Sequence, residues 1–219
     1  MRIASKINSL KRELPSGVKL VAVSKFHPVQ ALMEAYDAGQ RAFAESRPQE
    51  FAAKVPLMPA DVEWHFIGHL QTNKLKLVLP YASMLQSVDS VHLLEAVSSW
   101  CMAAGKRMDV LLELKLGAEE TKHGLSEDEI FDIMRRAADY AGVRIRGLMG
   151  MATNTDDAGV IKGEFLRMAE LKRRIAEAFP DAEGFDELSI GMSSDYRIAL
   201  EAGSTMVRIG TSIFGPREY

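Results

Sequence analysis

Three kinds of side chain stand just after apolar runs in this chain, and together they define the chemistry to look for. Lys25 follows Leu20-Val21-Ala22-Val23 within Ser24-Lys25-Phe26-His27-Pro28, so an amine closes a run that reads as a buried strand. Burial disfavours an ammonium and lowers its pKa, the condition under which a lysine attacks a carbonyl and forms a Schiff base. The alternative is a lysine whose stem covers apolar wall while its head reaches water. Near the C-terminus, Ser189-Ile190-Gly191-Met192-Ser193-Ser194-Asp195 places a glycine ahead of two hydroxyls at the start of the next helix. First-turn amides and the hydroxyls of Ser193 and Ser194 suit a phosphate. Val207-Arg208-Ile209-Gly210-Thr211-Ser212 repeats the device with Gly210 and Thr211. Taken singly, these are also an N-cap, a strand exit, and an arginine paired with an exposed acid.

The elements that must position these groups alternate between short apolar runs and segments of helical period, the pattern of consecutive βα units. Runs fall at 19–24, 41–46, 62–68, 84–89, 108–115, 143–151, 187–191 and 205–211. Helices are expected at 28–38, 48–55, 72–80, 91–104, 126–141, 156–179 and 194–202. Gly39, Gly105, Gly142 and Gly203 fall just past helices as C-terminal caps, Ser126 with Glu129 forms a capping box, and Pro28 and Pro48 open their helices. Eight parallel strands with intervening helices predict one (β/α)8 (TIM) barrel domain over residues 1–219. An extra helix at 1–14 shows an Ile3, Ile7, Leu10 face. The other possibility is an open doubly wound sheet, but no GxGxxG fingerprint follows any strand.

In a barrel, reactive groups collect at the C-terminal ends of the strands, and closure makes the eighth strand the neighbour of the first. Lys25 then faces the turns after strands seven and eight. A ligand needing both a lysine for its carbonyl and a cradle for its phosphate is an aldehyde phosphate, and pyridoxal 5′-phosphate (PLP) is the commonest. Arg208 shares the facing of Gly210 and is placed to reach the pyridine nitrogen. A permanent donor there keeps that nitrogen unprotonated and the ring a poor electron sink.

The residues resemble the pyridoxal phosphate homeostasis proteins, whose fold is like the N-terminal barrel of alanine racemase. The resemblance is carried by Ala22-Val23-Ser24-Lys25, by Trp64-His65-Phe66-Ile67-Gly68-His69-Leu70-Gln71-Thr72-Asn73-Lys74, by Arg146-Gly147-Leu148-Met149, and by the two C-terminal stretches above, over residues 20–217. It implies that Lys25 carries the Schiff base, that Ser193, Gly210 and Thr211 hold the phosphate, and that Arg208 faces the ring nitrogen. It also implies a carrier or regulator of vitamin B6 and amino-acid pools without an established catalytic reaction. PLP-dependent apo-enzymes are the expected partners, and a monomer is expected. Ala44-Glu45-Ser46 stands where the family has Gly-Glu-Asn, so Ser46 is the shorter donor there. Residues 150–155 replace a proline-containing turn.

The competing readings are a PLP-dependent amino-acid racemase and a class I aldolase in which Lys25 attacks a sugar phosphate directly. Racemisation needs a second acid/base, which alanine racemases draw from a further domain; this sequence, ending at Tyr219, is not expected to hold one. With 27 basic and 30 acidic residues and a net charge of −3, no nucleic-acid partner is expected. One cysteine, Cys101, in an apolar helix, leaves no disulfide framework or thiolate metal site. His65 and His69 flank Gly68 at a strand end, where their spacing does not align them for a metal, and packing is the expectation. No signal peptide or membrane span is read, so a cytoplasmic protein without membrane partners is expected. Lys122-His123-Gly124 lies in a polar fifth loop that reads as a lid or a solvated loop. Met149 and Met151 alternate as core filling.

Overall fold

A computed structural model describes residues 2–116 and 124–216. Lys122 and His123, and with them most of the expected lid, lie outside the described residues. The strands β1 (Lys19–Val23), β2 (Ala42–Glu45), β3 (Glu63–Phe66), β4 (Met84–Val88), β5 (Met108–Glu113), β6 (Val143–Met149), β7 (Glu187–Ser189) and β8 (Met206–Ile209) form a closed parallel barrel in chain order. The closing pair runs from Lys19 opposite Met206 to Ala22 opposite Ile209. Strand one therefore lies beside strand eight, as the sequence predicts.

Helices α1 (Ile3–Glu13), α2 (Val29–Asp37), α3 (Pro48–Lys54), α4 (Leu75–Val78), α5 (Val91–Ala103), α6 (Glu127–Arg135), α7 (Ala158–Ala178), α8 (Tyr196–Glu201) and α9 (Thr211–Phe214) accompany the strands. The longest, α7, buries Ile161, Phe165, Met168, Leu171 and Ile175, a 3.6-residue stripe against the sheet, and caps its first turn through Asp157. The Ser126–Glu129 capping box forms reciprocally, Ile7 and Leu10 of α1 are buried, and Cys101 is buried in α5.

Several expected boundaries move. The segment 72–80 splits into a 3-10 turn at Thr72–Lys74 and the short α4, and 126–141 breaks after Arg135 into a second 3-10 turn at Ala137–Asp139. Gly142 is not a cap: its φ is not positive, and a Cβ there would lie 2.0 Å from the Ser98 carbonyl oxygen, so close approach selects the glycine. Strand β6 stops at Met149, which leaves Met151 outside the core and 45% exposed.

Alternation along the strands sorts side chains into two cores. Leu20 and Ala22, Trp64 and Phe66, Leu85, Leu112, Leu148, Leu188 and Val207 point outward into the shell under the helices. Val21, Ala42, Ala44, Met84, Leu111, Met149 and Met206 point inward and plug the barrel. Whatever continues the inward series past the strand ends opens onto the mouth.

Candidate functional site

Above the inner plug lies a polar layer that the same alternation dictates: His65 on β3, Gln86 on β4, Ser189 on β7 and Arg208 on β8. Gln86 Nε2 lies 2.6 Å from His65 Nδ1, and Ser189 Oγ donates to Gln86 Oε1 at 2.7 Å. Arg208 Nη1 donates to both Ser189 Oγ and the Ser189 carbonyl at 2.7 Å, and Nη2 to the Gly150 carbonyl at 2.9 Å. Burial holds the His65 pKa down to about 4, so its ring is neutral and its Nδ1 accepts from the amide. Arg208 is only 3% exposed, and burial lowers its pKa to about 10, opposed by the fields of Glu113 and Asp195; it remains a cation near neutrality. The chain of bonds fixes the guanidinium plane with three of its five N–H donors and leaves others for the cavity that Arg208 borders.

That cavity, about 660 Å³, opens at the C-terminal mouth and is bordered by Lys25, Ser193, Ser194, Arg208, Gly210 and Thr211, with Met149 and Met151 among its apolar wall. One side is built from the turns after β7 and β8. Met192 N–H donates to Asp195 Oδ1 at 2.6 Å, which closes the turn, and Ser193 Oγ accepts from Gly210 N–H and Ser212 N–H, each at 3.3 Å. Two backbone donors thus converge on one oxygen. Glycine at 191 is required, since its φ is +92° and a Cβ would come within 2.6 Å of Ala199 Cβ. The expected helix start at 194 is displaced. Helix α8 begins at Tyr196 after Asp195, so Ser193 and Ser194 belong to the preceding turn, and the donors are individual amides and hydroxyls instead of a long helix's N-terminus.

Opposite stands Lys25, partly buried one residue past Ser24. Val21 and Val23 face the plug, so Lys25 continues the inward series into the mouth. A separate device behind the strand holds this turn. Lys54 Nζ donates to the Ser24 carbonyl at 2.8 Å and to Glu45 Oε1 and Glu50 Oε1 at 2.7 Å. Ser24 Oγ donates to Glu45 Oε1, and Phe26 N–H to Glu50 Oε1 at 2.6 Å. Phe26 has φ +68°, a conformation that costs a non-glycine residue about 1–3 kcal/mol and persists only where its surroundings enforce it. The two backbone groups flanking Lys25 are therefore clamped by one buried ion network.

Residues 1–218 match the family model described as the alanine racemase N-terminal domain. A pyridoxal phosphate homeostasis protein of Vibrio alginolyticus is 39% identical over 210 residues, covering 94% of this chain and 89% of that protein. The chain belongs to the pyridoxal phosphate homeostasis family. Among solved structures, PipY of Synechococcus elongatus with PLP bound superposes with a TM-score of 0.90 at 34% identity, covering 97% of this chain and all of that one. The same protein without PLP gives a TM-score of 0.92.

For this family member, the barrel brings Lys25, Ser193, Ser194, Arg208, Gly210 and Thr211 to one cavity, while Ser46 borders a second lobe that also touches Lys25. Sequence reasoning missed Gln86 and Ser189, the polar groups that fix Arg208, because a polar residue in an inward register is visible only once the register is known. It also missed the Lys54 clamp, whose signal was Glu45 and Glu50 around a lysine four residues on. His65 is part of the polar layer, and His69 Nδ1 lies 2.6 Å from Asp89 Oδ2. Among the described residues no group of three His, Cys, Asp or Glu could hold a metal.

Proposed function

We propose that the chain, as one barrel domain over residues 1–219, holds pyridoxal 5′-phosphate in the larger cavity and handles it as a store or carrier, without independent turnover. The observation that carries this reading is the pairing, across one cavity, of a lysine amine with two amides that converge on the Ser193 hydroxyl. The Ser193 oxygen that accepts from both amides at 3.3 Å marks where a phosphate oxygen would take their N–H groups. Ser193, Ser194, Gly210 and Thr211 would hold the phosphate, Arg208 would face the ring nitrogen, and Ser46 would donate from beyond Lys25. When bound, the cofactor supplies an aldehyde with which the Lys25 amine condenses, losing water.

The other steps belong to the protein. Arg208, locked on Ser189 and Gly150, presents a donor that stays protonated and so disfavours protonation of whatever nitrogen meets it. That arrangement supports holding over strong carbanion chemistry. The relatives' name as homeostasis proteins supports it further. In this reading the protein acts in the cytoplasm and passes cofactor to apo-enzymes; among the described residues no helix is long and apolar enough to cross a membrane.

Mass spectrometry after borohydride reduction tests the reading. A pyridoxyl phosphate mass on Lys25, absent from Lys25→Ala, is the expected result; an unmodified Lys25 in cofactor-saturated protein, or D-alanine formed from L-alanine faster than free cofactor allows, would overturn it.

A further inference from the structure

Beyond Lys25 the mouth continues into a second lobe of about 380 Å³, bordered by Ser46, His69, Asp89, Glu113, Leu114 and Leu116. Nothing in the cofactor reading uses its acids. Glu113 ends β5 in the same facing as Leu111, so its carboxyl points into the barrel mouth, yet it is only 8% exposed. Among the described residues no group donates a hydrogen bond to that carboxyl. Asp89 reaches the lobe through an irregularity in β4 between Leu85 and Val88; Val88 packs outward, which turns the next residue to the mouth. Its Oδ2 is taken by His69, and its charge, added to burial, pushes the Glu113 pKa up to about 7, with Arg208 and His69 pulling the other way.

A carboxyl facing a nearly closed lobe beside a second acid is stabilised by a ligand that supplies N–H groups and positive charge. A metal ion is a poor candidate, because the described acids and histidine do not form a ligand set. The wall of Leu114 and Leu116 adds room for hydrocarbon. We propose that this lobe binds a primary ammonium, its N–H groups donating to Glu113 and Asp89 and its alkyl chain lying on the leucines. The lobe adjoins the larger cavity at Lys25, which borders both. The proposal goes beyond the cofactor reading, and only one consequence rests on it: the lobe is where an amine acceptor meets cofactor held on Lys25.

Calorimetry on the full-length protein stripped of cofactor tests the site, with n-butylamine as probe and 1-butanol as its neutral counterpart. Butylamine is expected to bind where butanol does not, Glu113→Gln to weaken it about tenfold or more, and the measured heat to vary with the buffer's ionisation enthalpy, because binding ionises Glu113. L-norvaline binding more tightly than butylamine identifies an amino acid as the occupant, and weaker binding a simple amine. Equal binding of butylamine and butanol, or an unchanged affinity in Glu113→Gln, overturns the proposal. If Glu113→Gln does not fold, the Glu113 carboxyl resonance of the wild type serves instead: its titration midpoint must fall when butylamine is added, and a fixed midpoint overturns the proposal. No cofactor is present in these measurements, so their failure is distinct from an unmodified Lys25 in the borohydride experiment.

Discussion

Replacing Lys54 with methionine isolates the clamp behind Lys25. The ammonium is nearly buried and makes three hydrogen bonds of 2.7–2.8 Å, to Glu45, Glu50 and the Ser24 carbonyl. Glu45 is fully buried, its Oε2 has no hydrogen-bond partner, and burial already raises its pKa against the pull of Lys54 and Ser24. Removing the cation leaves an uncompensated buried carboxylate, which costs about 3–5 kcal/mol. That is a large share of the 5–15 kcal/mol typical of a domain, and at about 2–4 °C per kcal/mol it lowers Tm by roughly 6–20 °C. The loss must depend on pH. Without Lys54 the folded-state pKa of Glu45 rises further above its unfolded value, so the variant takes up a proton on folding. Its stability is then greatest in acid and falls as pH rises through that raised pKa. Urea denaturation at pH 5 and pH 8 should therefore show a larger deficit at pH 8, and Lys54→Met with Glu45→Gln should recover much of it. The same variant should bind cofactor more slowly, because the carbonyl of Ser24 and the amide of Phe26 lose their shared anchor. A deficit below about 1 kcal/mol that is equal at both pH values would refute the argument, because an exposed ion pair behaves that way.

Two buried groups should give opposing pH dependences. His65, held down to about 4, binds fewer protons folded than unfolded between that value and 6.5, so it makes stability rise with pH over that window; Glu113, pushed up to about 7, makes stability fall from 4.5 to 7, each by about 3 kcal/mol. Stability of the wild type should be nearly flat from pH 5 to 6.5, and Glu113→Gln should expose the rising His65 slope in chemical denaturation; parallel profiles would disprove the assignment. Gly191→Ala places a Cβ at 2.6 Å from Ala199 Cβ and 2.9 Å from Tyr196 Cα at φ +92°. A loss of about 2 kcal/mol or more in thermal unfolding is expected, with weaker cofactor retention as Ser193 shifts; a neutral result would show the turn tolerates rebuilding. Arg208→Gln removes the charge while leaving an amide for the Ser189 carbonyl. The visible band of cofactor-loaded protein should move and titrate differently, and an unchanged titration speaks against contact with the ring nitrogen.

Much of the site was legible because a parallel barrel strand announces itself as a short apolar run and its chemistry follows that run immediately. Lys25, Arg208 and Gly210 each fall within two residues of a strand end. Ser193 was found for a reason that needed revision: the helix after it starts later, and its hydroxyl meets the amides of Gly210 and Ser212 across a gap of 17 residues or more in sequence. Alternation puts Met151 in the core only if β6 runs on past Met149, where it ends. An acid near the end of an apolar run, as Glu113 is, looks like a solvated strand end until the neighbouring strands bury it.

Composition and period alone determined that strands and helices alternate, that the strands are buried on both faces, and that an amine and two glycine-serine turns stand at their ends; these are properties of single segments, set by local hydrophobicity and backbone preference. Tertiary structure decided which side of each strand faces the mouth, because closure and the irregularity in β4 set the register. It alone brought Lys54 under Lys25, ran the bonds from His65 to Arg208, and turned the carboxyl at 113 into a nearly closed lobe with no donor among the described residues. Those outcomes depend on distances between segments far apart in the chain, which no local pattern encodes.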